Sequence, residues 1–301
     1  MSLQSAIKAK VDALQSVPDA WAKGVMRLQP SLLARLQRLT GQLTTDSDGN
    51  LLLDVANLAR VDEIITELAR FLTRSEYAEM VTSLAEEFTL QQGRTIAYFE
   101  AATGAVPAVS TFASTRYAQA SAAAIRNIAA NVPDQFLMTP IRNALLEGIS
   151  TGSGYTSLLE NIQSIMIGTD TTEGNLLRYS RQIVSDSLAV TDREFTNIVA
   201  NDLGLEWYLY AGGEIDTTRC FCDARNGLYW HREEVKAWGR GEQLGACATG
   251  TGWAGMFKGT NESTIFVYCG GYNCQHSLLP VSEFIVPAAD MERAKSKGYV
   301  K

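Results

Sequence analysis

All five cysteines fall in the last third of the 301-residue chain, and three of them are spaced as metal ligands would be. Arg219-Cys220-Phe221-Cys222-Asp223 supplies one C-x-C pair, and Asn273-Cys274-Gln275-His276 supplies a C-x-H pair further along. In an extended strand residues i and i+2 point to the same face, so each pair can aim two soft donors at one point. Three thiolates and one imidazole make a closed tetrahedral set, the form of structural zinc sites, whereas a catalytic zinc keeps an open position. The expectation is one structural zinc ion held by Cys220, Cys222, Cys274 and His276. Cys247 and Cys269 are expected outside its shell, with Cys269 the main competitor for the place of Cys274. The alternative is a set of half-buried core cysteines, since free Cys packs as a small hydrophobe.

Other constellations point to chemistry less strongly. Gly250-Thr251-Gly252-Trp253-Ala254-Gly255 matches G-x-G-x-x-G. A dinucleotide fingerprint must follow a strand and open a helix, and neither an apolar strand before it nor a helical pattern after it is present. The chain has two histidines, His231 and His276. If His276 binds metal, His231 is the one remaining general base, and a Cys247–His231 or Cys269–His231 nucleophile pair has no supporting motif. His231-Arg232-Glu233-Glu234 reads instead as the start of a surface helix. Asp216, Arg219 and Asp223 flank the first cysteine pair, where Arg219 and Asp216 are expected to pair or to cap a turn. No residue is assigned a catalytic role.

The elements that must position these ligands change character at Gly204. Before it, helix follows helix. Val55, Leu58, Val61, Ile64, Ile65, Leu68, Phe71 and Leu72 recur every three or four residues, an amphipathic helical stripe. Tyr77, Met80, Val81, Leu84 and Phe88 repeat the pattern, as do Leu158, Leu159, Ile162, Ile165 and Met166, with Gly168 placed as a C-cap. Asp170 with Glu173 reads as a capping box for the next helix, which Gly204 closes. Pro107 and Pro133 punctuate the middle, and Pro140 suits a first helical turn. Between 204 and 271 lie thirteen of the 24 glycines and four of the five tryptophans. Short β-like runs appear at 206–210, 228–230 and 264–268. The fold class predicted is α+β: a mostly helical N-terminal two-thirds, then a small Gly/Cys-rich unit containing β-structure, with a modest apolar core that a metal would staple. The loop over 239–263 is expected to be mobile.

Composition bounds the function. Hydrophobic residues make up 46% and charged residues 20%, the balance of a folded globular chain. The formal net charge is −7, opposite in sign to what coating nucleic acid requires, so DNA contact is at most secondary. Arg293, Lys295, Lys297 and Lys301 read as a solvated basic terminus. No apolar region follows Lys8 and Lys10 as in an export signal, and no run approaches a membrane span, so no membrane anchor is expected. An odd number of cysteines confined to one region, without such a signal, predicts reduced thiols in a cytoplasm.

The cysteine-bearing motifs also carry a family resemblance. The run Trp207-Tyr208-Leu209-Tyr210-Ala211-Gly212-Gly213-Glu214-Ile215-Asp216-Thr217-Thr218-Arg219-Cys220 resembles the W…D-x-R-T-R/C segment of phage head morphogenesis proteins, minor head proteins similar to protein F of phage Mu. Asn226-Gly227-Leu228-Tyr229 matches the Gly-aromatic turn that follows, and Asn273-Cys274-Gln275-His276-Ser277-Leu278-Leu279-Pro280-Val281 the closing Cys/His motif before an apolar strand. Residues 141–167 look like the paired helices of that family, and 176–203 like its long helix before the Trp. The resemblance implies a helical region over 1–134, a head-morphogenesis-like domain over 135–286 (helices 140–203, Cys/His-bearing β unit 204–286) and a tail over 287–301. It implies a structural virion protein, synthesised in the host bacterial cytoplasm. Its partners would be the portal protein and other head proteins, with a homo-oligomer as a further possibility. It would act at the portal vertex in head assembly and, in some relatives, in DNA ejection. An enzyme of cysteine-hydrolase or toxin-like transferase type is the rival class.

Overall fold

Asp54 shows how the helices are set. Its backbone is extended and its carboxylate accepts the Asn57 N–H at 2.7 Å, an N-cap that satisfies one of the orphan donors of the first turn. The structure, a computed structural model, describes residues 2–213 and 216–300. Glu214 and Ile215 of the phage-like run, and Lys301 of the basic cluster, lie outside the described residues. The helices are α1 (Leu3–Thr40), α2 (Val55–Leu72), α3 (Glu76–Thr103), α4 (Thr111–Arg126), α5 (Thr139–Thr151) and α6 (Tyr155–Ile167). A two-residue hairpin, β1 (Gly168–Thr169) with β2 (Thr172–Glu173), precedes α7 (Asn175–Asp202). The expected stripe of α2 is buried at Val61, Ile64, Ile65, Leu68 and Leu72, whereas Val55 and Leu58 are exposed. Pro140 lies in the first turn of α5. Gly168 caps α6 at φ 98°, but Asp170 and Glu173 belong to the hairpin rather than to a capping box. Pro133 does not break its segment either. It lies between two π-helical turns, Asn127–Asn131 and Asp134–Met138, whose wider winding accommodates a residue that lacks an N–H.

Two compact units divide the chain. One comprises residues 18–85 and 123–184, the other 1–17, 86–122 and 185–301. The divisions fall inside α1, α3, α4 and α7 rather than in Gly/Pro-rich linkers, so composition gives no sign of them. In the first unit Trp21 donates to Ser180 Oγ at 2.9 Å and meets the Tyr77 ring edge-on, and the Tyr77 hydroxyl donates to Ile128 O at 2.6 Å.

The second unit joins helix to sheet. Its three strands are β3 (Trp207–Gly212), β4 (Tyr229–His231) and β5 (His276–Val281), all antiparallel in the order β4-β3-β5. Trp207 pairs with Val281, Tyr210 with Leu278 and Gly212 with His276. Every residue of β5 is buried. Between the strands lie the single turn α8 (Cys220–Asp223), α9 (Arg232–Gly239) and the single turn α10 (Ile265–Tyr268), and α11 (Ala288–Ser296) ends the unit. The run over 264–268, expected as a strand, is helical because Asn261 Oδ1 accepts the N–H groups of Ser263 and Thr264 and starts a turn. The segment after Pro287, read as a short exposed helix or tail, forms the short helix α11, and that helix is packed on the unit rather than solvated all round. Ala294 is buried with Trp207 and Val281, and Arg293 lies 4.0 Å over the Trp230 ring while pairing with Glu234.

The apolar core of this unit is larger than composition suggested. Phe221 stacks on Trp253 at 4.0 Å, Trp230 meets Trp238 edge-on at 4.8 Å, and the Arg225 guanidinium lies 3.9 Å over Phe221. Buried aromatic pairs each add about 0.5–1.5 kcal/mol beyond their area. Trp253 anchors the 239–263 loop, whose indole donates to Gly270 O at 3.0 Å. Gly250–Gly255 shows no strand before it and no helix after it. At the helical end of the unit, Lys10 from α1 is fully buried. Its ammonium reaches Asp192 at 2.5 and 2.6 Å, Thr95 at 2.6 Å and Thr196 at 2.9 Å, and Gln91 donates to Asp192 at 3.1 Å. Among the described residues, no helix is long and apolar enough to cross a membrane.

Candidate metal centre

The expected ligands part company at the first pair. Cys220 and Cys222 lie on α8, not on a strand. At about 100° per residue in a helix, neighbours two apart face away from each other rather than together. Cys220 is exposed and its sulfur is bonded to Cys247, with Cα atoms 5.4 Å apart. A disulfide sulfur is no thiolate donor, so Cys220 is not a ligand in this arrangement. The expectation of five reduced thiols is corrected at the same place: Cys222, Cys269 and Cys274 are free, the other two are joined. Closing this loop, with a sequence separation of 27, restricts the unfolded chain by about 3–4 kcal/mol in the entropic account.

Cys222 points inward, where Cys274 and His276 meet it. The donor atoms of the three lie within 4.8 Å of one another, and the residues are only 3%, 4% and 2% exposed. The two sulfurs are 3.8 Å apart. Two sulfurs bound at the tetrahedral angle to one zinc ion, with Zn–S of about 2.3 Å, would lie about 3.8 Å apart. His276 Nε2 is buried without a hydrogen-bond partner, a costly state for a ring nitrogen that a metal would relieve. These residues can hold a metal ion.

The surroundings press chain and sulfur together. Gly270 backs directly onto the pair: a Cβ there would come within 2.4 Å of Cys222 Sγ and 2.7 Å of Cys274 Sγ. Tyr210 stacks its ring on His276 at 5.3 Å, and its hydroxyl donates to Cys222 Sγ at 3.3 Å. Hydrogen bonds from the Cys222 and Cys269 thiols hold the Cys274 thiol well below its ordinary value against the effect of burial, while the Cys222 thiol is pushed up. Gly212, opposite His276 in the sheet, leaves the imidazole room, since a Cβ would come within 2.7 Å of its Cγ. A cleft of about 210 Å³ lined by Thr217, Arg219, Asn273 and Gln275 adjoins the three ligands. Arg219 donates to the carbonyls of Gly270 and Tyr272.

One residue that sequence reasoning missed organises the closing motif. Arg193 of α7 is buried and donates to Cys274 O and His276 O, both at 2.6 Å. Burial works against its charge, but Cys274, Cys269 and Tyr210 outweigh it and leave the guanidinium above its ordinary value. The available signal was the charged pair Asp192-Arg193 inside a stretch with Leu188, Ala189, Phe195 and Val199 buried around it. Arg193→Leu is expected to cost about 3 kcal/mol, the scale of a lost charge-assisted hydrogen bond with acceptors left unpaired. Denaturant unfolding would check it, and a loss below about 0.5 kcal/mol, ordinary for surface changes, would refute the role.

His231 is corrected in one respect. It does open a helix: Nδ1 accepts the Glu233 N–H at 3.4 Å and its own N–H donates to the Glu234 carboxylate at 3.1 Å, a capping box on α9. It is buried rather than on the surface, with its ring edge-on to Trp207 at 5.3 Å. Cys247, one of its two suggested nucleophile partners, is in the disulfide.

No family model, no curated protein and no solved structure matches this chain.

Proposed function

We propose that the chain is a structural minor head protein of a tailed bacteriophage, acting at the portal vertex during head assembly and not as an enzyme. The observation that carries this reading is the order of elements that accompanies the two cysteine motifs. Paired helices α5 and α6 are followed by the long helix α7, then by the Trp207-led strand β3, the cysteine-bearing turn α8, and Cys274 just ahead of the buried strand β5 that His276 opens. That is the order the resemblance implies for residues 135–286. In this reading helical surfaces contact the portal protein and neighbouring head proteins, the net charge of −7 keeps DNA contact secondary, and the protein resides in the virion.

The metal held by Cys222, Cys274 and His276 is zinc in this proposal. Thiolate sulfur and imidazole nitrogen suit zinc far better than the oxygen-seeking magnesium or calcium, and zinc brings no redox chemistry. When bound it would tie α8 to the start of β5, adding its binding free energy to folding.

The cleft beside Cys222, Cys274 and His276 is the observation that favours the rival, an enzyme of cysteine-hydrolase or toxin-like transferase type. Quantitative mass spectrometry of purified phage particles separates the two. A fixed stoichiometry of tens of copies or fewer per particle is expected. Absence from particles would overturn the structural reading in favour of an enzyme or an assembly factor.

A further inference from the structure

The three clustered ligands leave one corner of a tetrahedron, and the expected occupant, Cys220, is bonded to Cys247. The remaining free cysteine, Cys269, is 1% exposed and leads directly into Gly270, which backs onto the Cys222 and Cys274 sulfurs; its own sulfur is not one of the three clustered donors. We propose that Cys269 is the fourth ligand, so that Cys222, Cys269, Cys274 and His276 form a closed, structural Cys3His zinc centre.

Three further observations support this. Among the described residues Cys269 is one of three non-glycine residues with positive φ, at 48°, a conformation that costs a side-chain-bearing residue of order 1–3 kcal/mol and persists where surroundings impose it. It ends α10 and turns the chain, through Gly270 and Gly271, over the Cys222 and Cys274 sulfurs. A Cβ at Gly271 would come within 1.9 Å of Gly255 O, so this turn is pressed from outside as well. Asn273, the next positive-φ residue at 55°, has its N–H fixed by the Asp186 carboxylate at 2.8 Å. The turn that carries Cys269 and Cys274 is thus pinned at both ends.

Charge provides the third argument. Arg193 is buried beside the cluster, and a buried cation demands a counter-charge. A zinc ion with two thiolates and a neutral imidazole is neutral and supplies none. With a third thiolate the centre carries one negative charge, which together with the half-buried Asp186 carboxylate faces the guanidinium. Binding exchanges thiol protons for zinc–sulfur bonds, and the protons leave to solvent.

The inference rests on the reading that this cluster holds zinc, and the test keeps the two apart. Full-length protein, prepared without chelator or reductant so that the disulfide persists, would be assayed for bound zinc and for zinc-edge X-ray absorption. One zinc per chain with three sulfur and one nitrogen neighbours is expected. Cys269→Ser should lose one sulfur neighbour and weaken zinc binding at least tenfold, whereas Cys220→Ser should still hold one zinc. A wild-type spectrum with two sulfurs and a light fourth ligand would overturn the role of Cys269 while leaving zinc in place, as would unchanged affinity in Cys269→Ser. Protein without zinc would overturn both. The wild-type spectrum decides the matter even if a variant fails to fold.

Discussion

Replacing Lys10 by methionine is expected to lower the stability of the protein by about 3–5 kcal/mol, the cost of stripping one partner from a buried ion pair. The aliphatic stem is nearly conserved, so little packing is lost. What remains is a carboxylate with 1% exposure, Asp192, holding only the hydrogen bonds from Thr95 and Gln91. Burial draws the Lys10 ammonium below its ordinary value and Asp192 opposes that pull, so the two charges are kept by each other. The double variant Lys10→Met/Asp192→Leu removes both and is expected to recover much of the loss, because replacing a buried pair by apolar residues is often nearly neutral. Thr95 and Thr196 then lose a partner, so recovery stops short of wild type. Urea unfolding of the full chain gives all the values, and coupling between the two sites is the quantity of interest. A single-variant loss below about 1 kcal/mol, the range of exposed pairs, would show that Lys10 and Asp192 are not mutually dependent.

Gly270→Ala is expected to weaken zinc binding by about 10- to 100-fold, the range seen when groups behind metal ligands are changed. The backbone φ at Gly270 lies outside the left-handed region, so the added methyl is not a conformational strain but a collision with Cys222 and Cys274 sulfurs. Either the two sulfurs separate beyond the 3.8 Å that one tetrahedral ion spans, or the Gly270 carbonyl leaves Trp253 Nε1 and Arg219. Competition against a chelating dye would measure the change. Wild-type affinity in this variant would place the metal elsewhere.

How much of this was legible depends on the kind of signal. The helices announced themselves through apolar periodicity: α2, α3 and α6 lie where stripes put them and α5 opens at Pro140, whereas α7 starts after a hairpin that the Asp170/Glu173 cap reading missed. The strands β3 and β4 were visible as aromatic or apolar runs beside Gly and Asn, whereas β5 was expected only through the apolar strand that the resemblance implies. The 264–268 run misled because five apolar and β-branched residues fit a strand or one helical turn equally, and the turn that the Asn261 side chain starts just before it decided the outcome. Of the candidate ligands, Cys222, Cys274 and His276 come together and Cys220 does not. The i, i+2 argument presumed extended backbone where α8 is helical, and that one assumption misplaced Cys220. Arg193, Tyr210 and Gly270 were beyond reach because their roles rest on contacts across more than 10 residues in sequence, from α7, β3 and the turn before β5.

The path of the chain through its second unit has a consequence for biosynthesis. Lys10 is made well before its partner Asp192, which lies 182 positions later. At 5–20 residues per second, a ribosome takes roughly 10–40 s to deliver it. Through that interval the leading helix carries an unmatched ammonium and exposed apolar side chains, while residues 18–85 and 123–184 have all emerged before Asp192 is made. The early-made segment must therefore wait in solution, or in the grip of a chaperone, and close last. Nascent chains stalled before and after residue 192 would reveal the order: protease resistance should come first to the 18–184 segments and reach residues 1–17 only in the longer chains.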